Sequence, residues 1–367
     1  MLKRELDTFC DKTEIEDFSV HPGAFLGWIR ILVLFYTAGI VLLWFGQPLP
    51  AAILATAGMV IMSLQFFLYI KLIDPFYPAK KGKNVIGILE PENEATQQII
   101  ISGHHDSARI FNFFIHQPSW YPIRVMGGIG SVVLLMVSAW IAALLQMGSR
   151  TLPGWFTIIY WVLTALLVIV LQLWFFASNK GTPGAGDNLI ASAAAVETGR
   201  YFADLRKQGK GLKNTRLILA SWDAEEAGLR GARAYATAHK KDFAAIPTWN
   251  FNVDCPYSAD SLFFLTSDIN GSVKLSESMA GECRDICIDL GFAAEIKPIE
   301  FLTGGTDAAE LAKKGVQATT LMGMPWENSS RALVYHTPED TPENIEEKAI
   351  EAVLLIARRF VEKKDSE

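Results

Sequence analysis

The chain has 367 residues, half of them hydrophobic and one fifth charged, with a formal net charge of −6. That acidic balance excludes a nucleic-acid surface built on phosphate contacts, and the apolar excess makes membrane-crossing segments the first thing to seek. Four cysteines (Cys10, Cys255, Cys283, Cys287) form no CxxC pair and read as buried free thiols in a reducing compartment, not as a disulfide framework.

Residues 1–26 form an N-terminal arm. Its opening, "MLKRELDTFCDKTEIEDFSV", mixes acids and bases and lacks an early apolar core, so it does not read as a signal peptide. Residues 27–73 follow as a first hairpin. No charge interrupts the run from Ile31 to Ile70, and "GQPLP" (Gly46–Pro50) breaks it at the centre with a turn signal. Each half is about 20 residues, long enough to cross a bilayer as a helix. Residues 113–177 make a second hairpin, with apolar runs on either side of "GSRTLPG". Trp28, Trp120, Tyr121, Trp155 and Trp174 lie near the ends of these runs, as in an interfacial belt. Four crossings place the N-terminus, the segment between the hairpins and everything after residue 178 on one side. Arg30, Lys71, Lys80, Lys81, Lys83, Arg124 and Lys180 share that side, against Arg150 alone on the other. The positive-inside rule then predicts an integral membrane protein whose bulk faces the cytoplasm.

What remains, residues 74–112 and 178–367, reads as one discontinuous domain. "NVIGILEP" and "TQQIIISG" are strands joined by a polar turn, and "GDNLIASAAAVETGRYFADLRKQ" is a helix entered at Asp187 and Asn188. "TRLILASW" is a buried strand, "AGLRGARAYATAHKK" a helix, "NFNVDC" a strand and "SVKLSESMAGECRDICIDLG" a helix ending at Gly291. "QATTLMG" is a further strand, and a last helix runs from Thr341 as N-cap with Pro342 in its first turn. Strands alternating with helices predict a three-layer α/β domain, whose chemistry collects at strand ends.

The polar residues expected at those ends are His104 and Asp106, Asp187, Glu225 and Glu226, Asp254, and His336. Two imidazoles and several carboxylates gathered at one sheet edge repel one another without a cation. A pair of Zn²⁺ ions sharing a carboxylate suits the set. Strand alternation puts His104 and Asp106 on one face and His105 on the other. His104 is therefore the ligand, with the Asp106 carboxylate placed to take its second ring proton. His105 is left to packing or a substrate-side contact.

"GHHDS", "GAGDN", "DAEEAGLRGA", "NVDC", "GGTDAAEL" and "YHTPEDT", in this order, resemble the zinc aminopeptidase family that includes bacterial leucyl aminopeptidase, aminopeptidase Y, glutamate carboxypeptidase and glutaminyl cyclase. The likeness spans about residues 84–110 and 180–360 and leaves out the hairpins. It implies a mixed-sheet zinc-peptidase domain. His104, Asp187 and Asp254 would hold one zinc, and Asp187, Glu226 and His336 the other, with Asp187 bridging. Glu225 would be the general base, moving a proton from an activated water to the leaving amine. Asp106 would be the second residue of the catalytic apparatus. Two departures stand out: Gly186 occupies a position where aspartate is frequent, and the family's "SDH"-like segment is Thr306–Asp307–Ala308, which leaves the role of Asp307 open. The reading is a membrane-integral dizinc aminopeptidase acting on peptides. The alternatives are a carboxypeptidase, a cyclase, or a receptor-like protein with a dead peptidase domain. No ligand or base is missing, which speaks against the last. Eighty residues separate Asp106 from Asp187, and most of them form the second hairpin. Both its ends are thus tied to ligand-bearing loops, and the site is expected close to the bilayer surface.

Overall fold

The computed structural model describes residues 1–325 and 333–367. The chain divides into two compact units, Gly23–Pro78 with Ile110–Lys180, and Met1–Pro22 with Ala79–Arg109 and Gly181–Glu367.

The first unit is helical. Its helices are α1 (Ala24–Trp44), α2 (Pro48–Met62, prolonged by a π turn over Ser63–Phe67), α3 (Tyr121–Met147) and α4 (Phe156–Gln172). The turn between α1 and α2 needs a left-handed residue, and Gly46 supplies it at φ +69°. Pro48 then opens α2 at a position that needs no N–H. Four helical stretches, Ala24–Trp44, Pro48–Phe67, Pro118–Met147 and Phe156–Phe175, are long and apolar enough to cross a membrane. Leu32, Tyr36, Leu135 and Leu163 are fully enclosed at their centre. Small residues let the helices close up: a Cβ on Gly39 would lie 2.9 Å from the Leu135 side chain, and Ala51, Ala52, Ala55, Ala139 and Ala142 are all buried. The outward faces stay apolar, with Leu34, Ile53, Ile141, Ile158, Trp161 and Val168 exposed. The buried Tyr36 hydroxyl donates to the Leu163 carbonyl at 2.8 Å.

The second unit is built on an eight-stranded mixed sheet. Its strands are β1 (Lys12–Val20), β2 (Lys80–Leu89), β3 (Gln97–His104), β4 (Thr215–Trp222), β5 (Thr248–Asp254), β6 (Leu262–Leu265), β7 (Glu295–Lys297) and β8 (Gln317–Gly323). They lie in the order β1-β2-β4-β3-β5-β8-β6-β7. The central strands β4, β3, β5 and β8 run parallel, while β1, β2 and β6 each pair antiparallel with a neighbour. Parallel strands are covered on both faces, which is why β3 and β4 read as unbroken apolar runs. Ile99, Ile101, Leu217 and Leu219 pack on one face against helices α5 (Ile190–Lys207), α7 (Glu277–Asp289) and α8 (Glu347–Ser366). Ile100, Ile218 and Trp222 pack on the other against α6 (Arg230–Ala238). The result is the three-layer α/β arrangement.

Three features depart from the sequence reading. The arm carries a strand that the sequence reading did not assign: Lys12–Val20 pairs along β2 from Lys12 opposite Ile88 to Val20 opposite Lys80. Ile15, Asp17 and Ser19 on one side of it are exposed, as suits an edge strand that keeps one face in water. The short strand β6 carries no polar alternation to announce it, and β7 spans only three residues. The last helix starts at Glu347, not Thr341, because Pro342–Asn344 forms a separate 3-10 turn and Ile345 is extended. The cysteines are free, with Cys255, Cys283 and Cys287 buried.

Connectivity places the insertion. The chain leaves the sheet-bearing unit after Arg109, three residues past Asp106, and returns at Gly181, six residues before Asp187. The Thr182 N–H donates to the Ala108 carbonyl at 2.9 Å, so the two limbs are bonded where they part.

Candidate metal centre

The candidate residues sit at the C-terminal ends of the parallel strands and in the loops that follow them. His104 is the last residue of β3 and Asp254 the last of β5; Glu225 and Glu226 follow β4, and Asp187 precedes α5. This is where an open α/β sheet gathers its ligand-binding groups.

Asp187 is the hub. Its Oδ1 lies 3.3 Å from His104 Nε2, and its Oδ2 lies 3.3 Å from His336 Nε2. On the first side, His104 Nε2 is also 3.9 Å from Asp254 Oδ1. On the second, His336 Nε2 is 3.6 Å from Glu226 Oε1. In a tetrahedral zinc site with bonds of about 2.0–2.2 Å, ligand atoms sit about 3.3–3.6 Å apart. Of three groups whose ligand atoms lie within 4.8 Å of one another, His104–Asp187–Asp254 and Asp187–Glu226–His336 share the Asp187 carboxylate, as a pair of sites would, and His104–Glu225–Glu226 lies beside them. Among the described residues, neither His104 Nε2 nor Asp187 Oδ2 makes a hydrogen bond, although both are buried. Buried polar atoms without partners cost about 1–3 kcal/mol each, and a cation between them removes that cost. The donor set fits zinc: imidazole and carboxylate only, with no thiolate in either group.

The electrostatics point the same way. Burial pushes Glu225 and Glu226 well above the usual carboxylate range, and the neighbouring Asp254 and Asp187 charges add to it. Burial raises Asp254 to about 6. Asp187 is the exception. Burial acts upward on it too, but the His104 and His336 imidazoles facing its two oxygens hold it well below the range. Burial acts to lower His104, yet the Glu225, Asp106 and Asp187 carboxylates leave it well above the ordinary imidazole value. A cluster with this much mutual repulsion is stable as anions only around added positive charge.

Glu225 differs from Glu226 in position. Its Oε2 is 3.9 Å from His104 Nε2, on the first side of the pair, while Glu226 faces His336. Asp106 sets both: its Oδ1 accepts the Glu225 N–H at 3.0 Å and its Oδ2 the Glu226 N–H at 3.2 Å. The expected His104–Asp106 pairing needs correcting here. Nδ1 of His104 lies 3.1 Å from the Asp106 backbone carbonyl and 3.5 Å from its carboxylate, because β3 ends at His104 and the carboxylate turns to the glutamate loop. His105 faces elsewhere. Its Nδ1 is 2.7 Å from Ser221 Oγ, Ser221 meets Ser192 at 2.6 Å, and Ser192 donates to the His104 carbonyl at 3.0 Å. His105 thereby locks the strand end without joining the cluster. His336 stands at φ +55°, a conformation that costs a non-glycine residue energy and recurs at functional sites.

The sequence left the role of Asp307 open and did not single out Asp340. Asp307 is buried beside the cluster. Burial pushes it far above the carboxylate range, and neither of its oxygens makes a hydrogen bond among the described residues. Asp340, the last acid of "YHTPEDT", is fully enclosed, and its Oδ1 accepts from Gly186 N at 2.7 Å and from the Tyr257 hydroxyl at 2.9 Å.

A family model described as peptidase family M28 matches residues 174–361, just over half of the chain. The chain belongs to this family. The match takes in Asp187, Glu225, Glu226, Asp254 and His336; His104 and Asp106 lie before it and join the others through the fold. Among solved structures, the chain is similar to a glutaminyl cyclase of Fimbriiglobus ruber, at 11% identity and a TM-score of 0.52, over 98% of this chain and 84% of that one. It is also similar to LapB of Legionella pneumophila, at 12% identity and a TM-score of 0.51, over 100% of this chain and 64% of that one. For a zinc aminopeptidase of Bacillus subtilis the values are 18% and 0.47, over 77% of this chain and 51% of that one. At these identities the likeness is one of fold. The chain spans about half the length of the Aneurinibacillus and Bacillus aminopeptidase chains it matches. No curated protein matches it.

Proposed function

We propose that this M28 protein is a membrane-integral dizinc exopeptidase, an aminopeptidase that removes residues from peptides. The observation that supports it best is Asp187, with each carboxylate oxygen 3.3 Å from a different imidazole. His104, Asp187 and Asp254 would hold one zinc, and Asp187, Glu226 and His336 the other. When bound, such ions acidify a shared water and polarise the scissile carbonyl. The remaining chemistry belongs to the chain. Glu225 Oε2 takes the proton of the attacking water and returns it to the departing amine nitrogen. Burial raises the proton affinity of Glu225, which suits a group that must both accept and release a proton. Asp106 holds Glu225 and Glu226 through their backbone N–H groups, so that one side chain ligates and the other serves as base.

α1 to α4 would anchor the enzyme in lipid, with the sheet-bearing unit in the cytoplasm, as the distribution of Lys and Arg about the spans favours. The exposed apolar faces of the four helices suit a lipid environment. The second helical pair departs from and returns to ligand-bearing loops within a few residues, which supports action on peptides at the membrane surface.

Purified detergent-solubilised protein tests the reading. Metal analysis should give two zinc ions per chain, and a panel of aminoacyl-anilides should be cleaved. Glu225→Gln should keep the metal and lose turnover by about 10²–10⁴-fold. Unchanged turnover in that variant would remove Glu225 as base. Cleavage only of substrates with a free carboxyl end, or cyclisation of an N-terminal glutamine, would replace the aminopeptidase assignment.

A further inference from the structure

Three loops deliver ligands from three distant parts of the chain, and one pair of side chains ties them together. Gly184–Asp187 carries Asp187, the end of β5 and the turn after it carry Asp254, and the segment around 336–340 carries His336. Tyr257 stands three residues after Asp254, and Asp340 four after His336. Asp340 Oδ1 accepts from Gly186 N at 2.7 Å, with Asp187 N at 3.4 Å, and from the Tyr257 hydroxyl at 2.9 Å. The Asp340 carbonyl accepts the Ala185 N–H at 3.2 Å. Both side chains are buried, at 4% exposure for Tyr257 and 0% for Asp340. Residue 186 is glycine for a steric reason visible here: a Cβ would lie 2.0 Å from Cε1 of the Tyr257 ring. The ring therefore occupies the space that a side chain at 186 would take, and its hydroxyl reaches over the loop to Asp340.

We infer that Tyr257 and Asp340 are positioning residues that fix the bridging carboxylate Asp187 against Asp254 and His336, and so set how tightly the site holds its metal pair. This rests on the reading of the cluster as a metal centre. The Tyr257 segment and the Asp187 loop have separate anchors. Ser258 N–H donates to the Gly323 carbonyl at 2.7 Å, Ala259 N–H donates to Glu346 at 2.8 Å, and Asn188 donates to the Val253 carbonyl at 2.9 Å. Loss of the Tyr257 hydroxyl thus leaves the fold standing and loosens only the setting of Asp187. A carboxylate on three donors is also the kind of partner whose loss is felt at the ligands it orients.

Tyr257→Phe, Asp340→Asn and Asp340→Ala in the full-length protein test this by zinc titration against a chromophoric chelator, with kcat, KM and Tm of the metal-free form measured alongside. Tyr257→Phe keeps the ring over Gly186 and should weaken zinc binding about 10–100-fold. It should lower kcat at limiting zinc, with KM and the metal-free Tm close to wild type. Asp340→Asn keeps an oxygen for Gly186 N–H and should retain more zinc affinity than Asp340→Ala. Wild-type zinc affinity in both Tyr257→Phe and Asp340→Ala would overturn the inference while leaving the metallopeptidase reading intact. So would a Tyr257→Phe protein whose metal-free Tm falls while its zinc affinity does not. Wild-type protein that takes up no zinc would overturn both.

Discussion

Asp106→Asn separates placement of the glutamate pair from its chemistry. The wild-type carboxylate accepts two backbone N–H groups with two oxygens, at 3.0 Å from Glu225 and 3.2 Å from Glu226. An asparagine has one acceptor oxygen, so one N–H keeps its partner while the other faces an NH₂ group that cannot accept. A hydrogen bond to a charged group contributes about 1.5–3 kcal/mol. Losing one and weakening the other should cost the correctly set turn about that much, or about 10–100-fold in kcat/KM at roughly 1.4 kcal/mol per decade. Asp106→Ala, which removes both acceptors, should fall further. The assay is steady-state hydrolysis of an aminoacyl-anilide at saturating zinc, with thermal unfolding as a control for the fold. Asp106→Asn within twofold of wild type would refute the argument that this carboxylate sets Glu225. A loss of activity matched by general destabilisation would refute it as well.

Chelation should lower the Tm of the sheet-bearing unit, because its buried carboxylates lose their counter-charge. At a metal concentration 100 times Kd the stabilisation per site is about 2.7 kcal/mol, and zinc should restore it in calorimetry. Gly103→Ala places a Cβ 2.4 Å from that of Ala191, so β3 must move off α5. A loss of about 1–3 kcal/mol in denaturant unfolding is expected, and a neutral result would contradict the packing argument. His239 clamps the edge strand, with Nε2 2.7 Å from Glu16 Oε1 and Nδ1 2.9 Å from Asp242 Oδ2. The Glu16 hydrogen bond raises it above its ordinary 6.5 against an opposing burial effect, with Asp242 adding to the rise. Its contribution is therefore full below about 6.5 and is lost as pH rises through the raised folded value. Tm of wild type relative to His239→Gln should decline as pH rises above about 6.5, and a constant difference would remove the clamp.

The sequence carries most of the site and less of the scaffold. "IIISGHHD" announces a doubly covered strand with ligands at its end, because three consecutive isoleucines fit only a strand buried on both faces. Alternation separates His104 from His105, and the structure keeps them apart. Alternation fails two residues later: the strand has ended by Asp106, so its carboxylate is free to turn to Glu225 and Glu226. Long-range partners were out of reach for the same reason. Nothing local in "CPYS" or "PEDT" says that Tyr257 and Asp340 meet across Gly186. The glycine at 186 is legible as a departure, but its cause is a ring 71 residues further along the chain. The edge strand Lys12–Val20 was hidden because its charges, Lys12, Glu14, Glu16 and Asp17, fall on both faces and resemble those of a loop. The helices α1 to α4 were the plainest elements, since uncharged runs of this length leave few other ways to satisfy the backbone.

Zinc K-edge X-ray absorption on the reconstituted protein tests the central claim most directly. The account predicts two zinc ions per chain, coordinated by nitrogen and oxygen alone, with a metal–metal distance of roughly 3.5–4 Å. Sulfur in the coordination sphere, or a single zinc with no neighbouring metal, would contradict it.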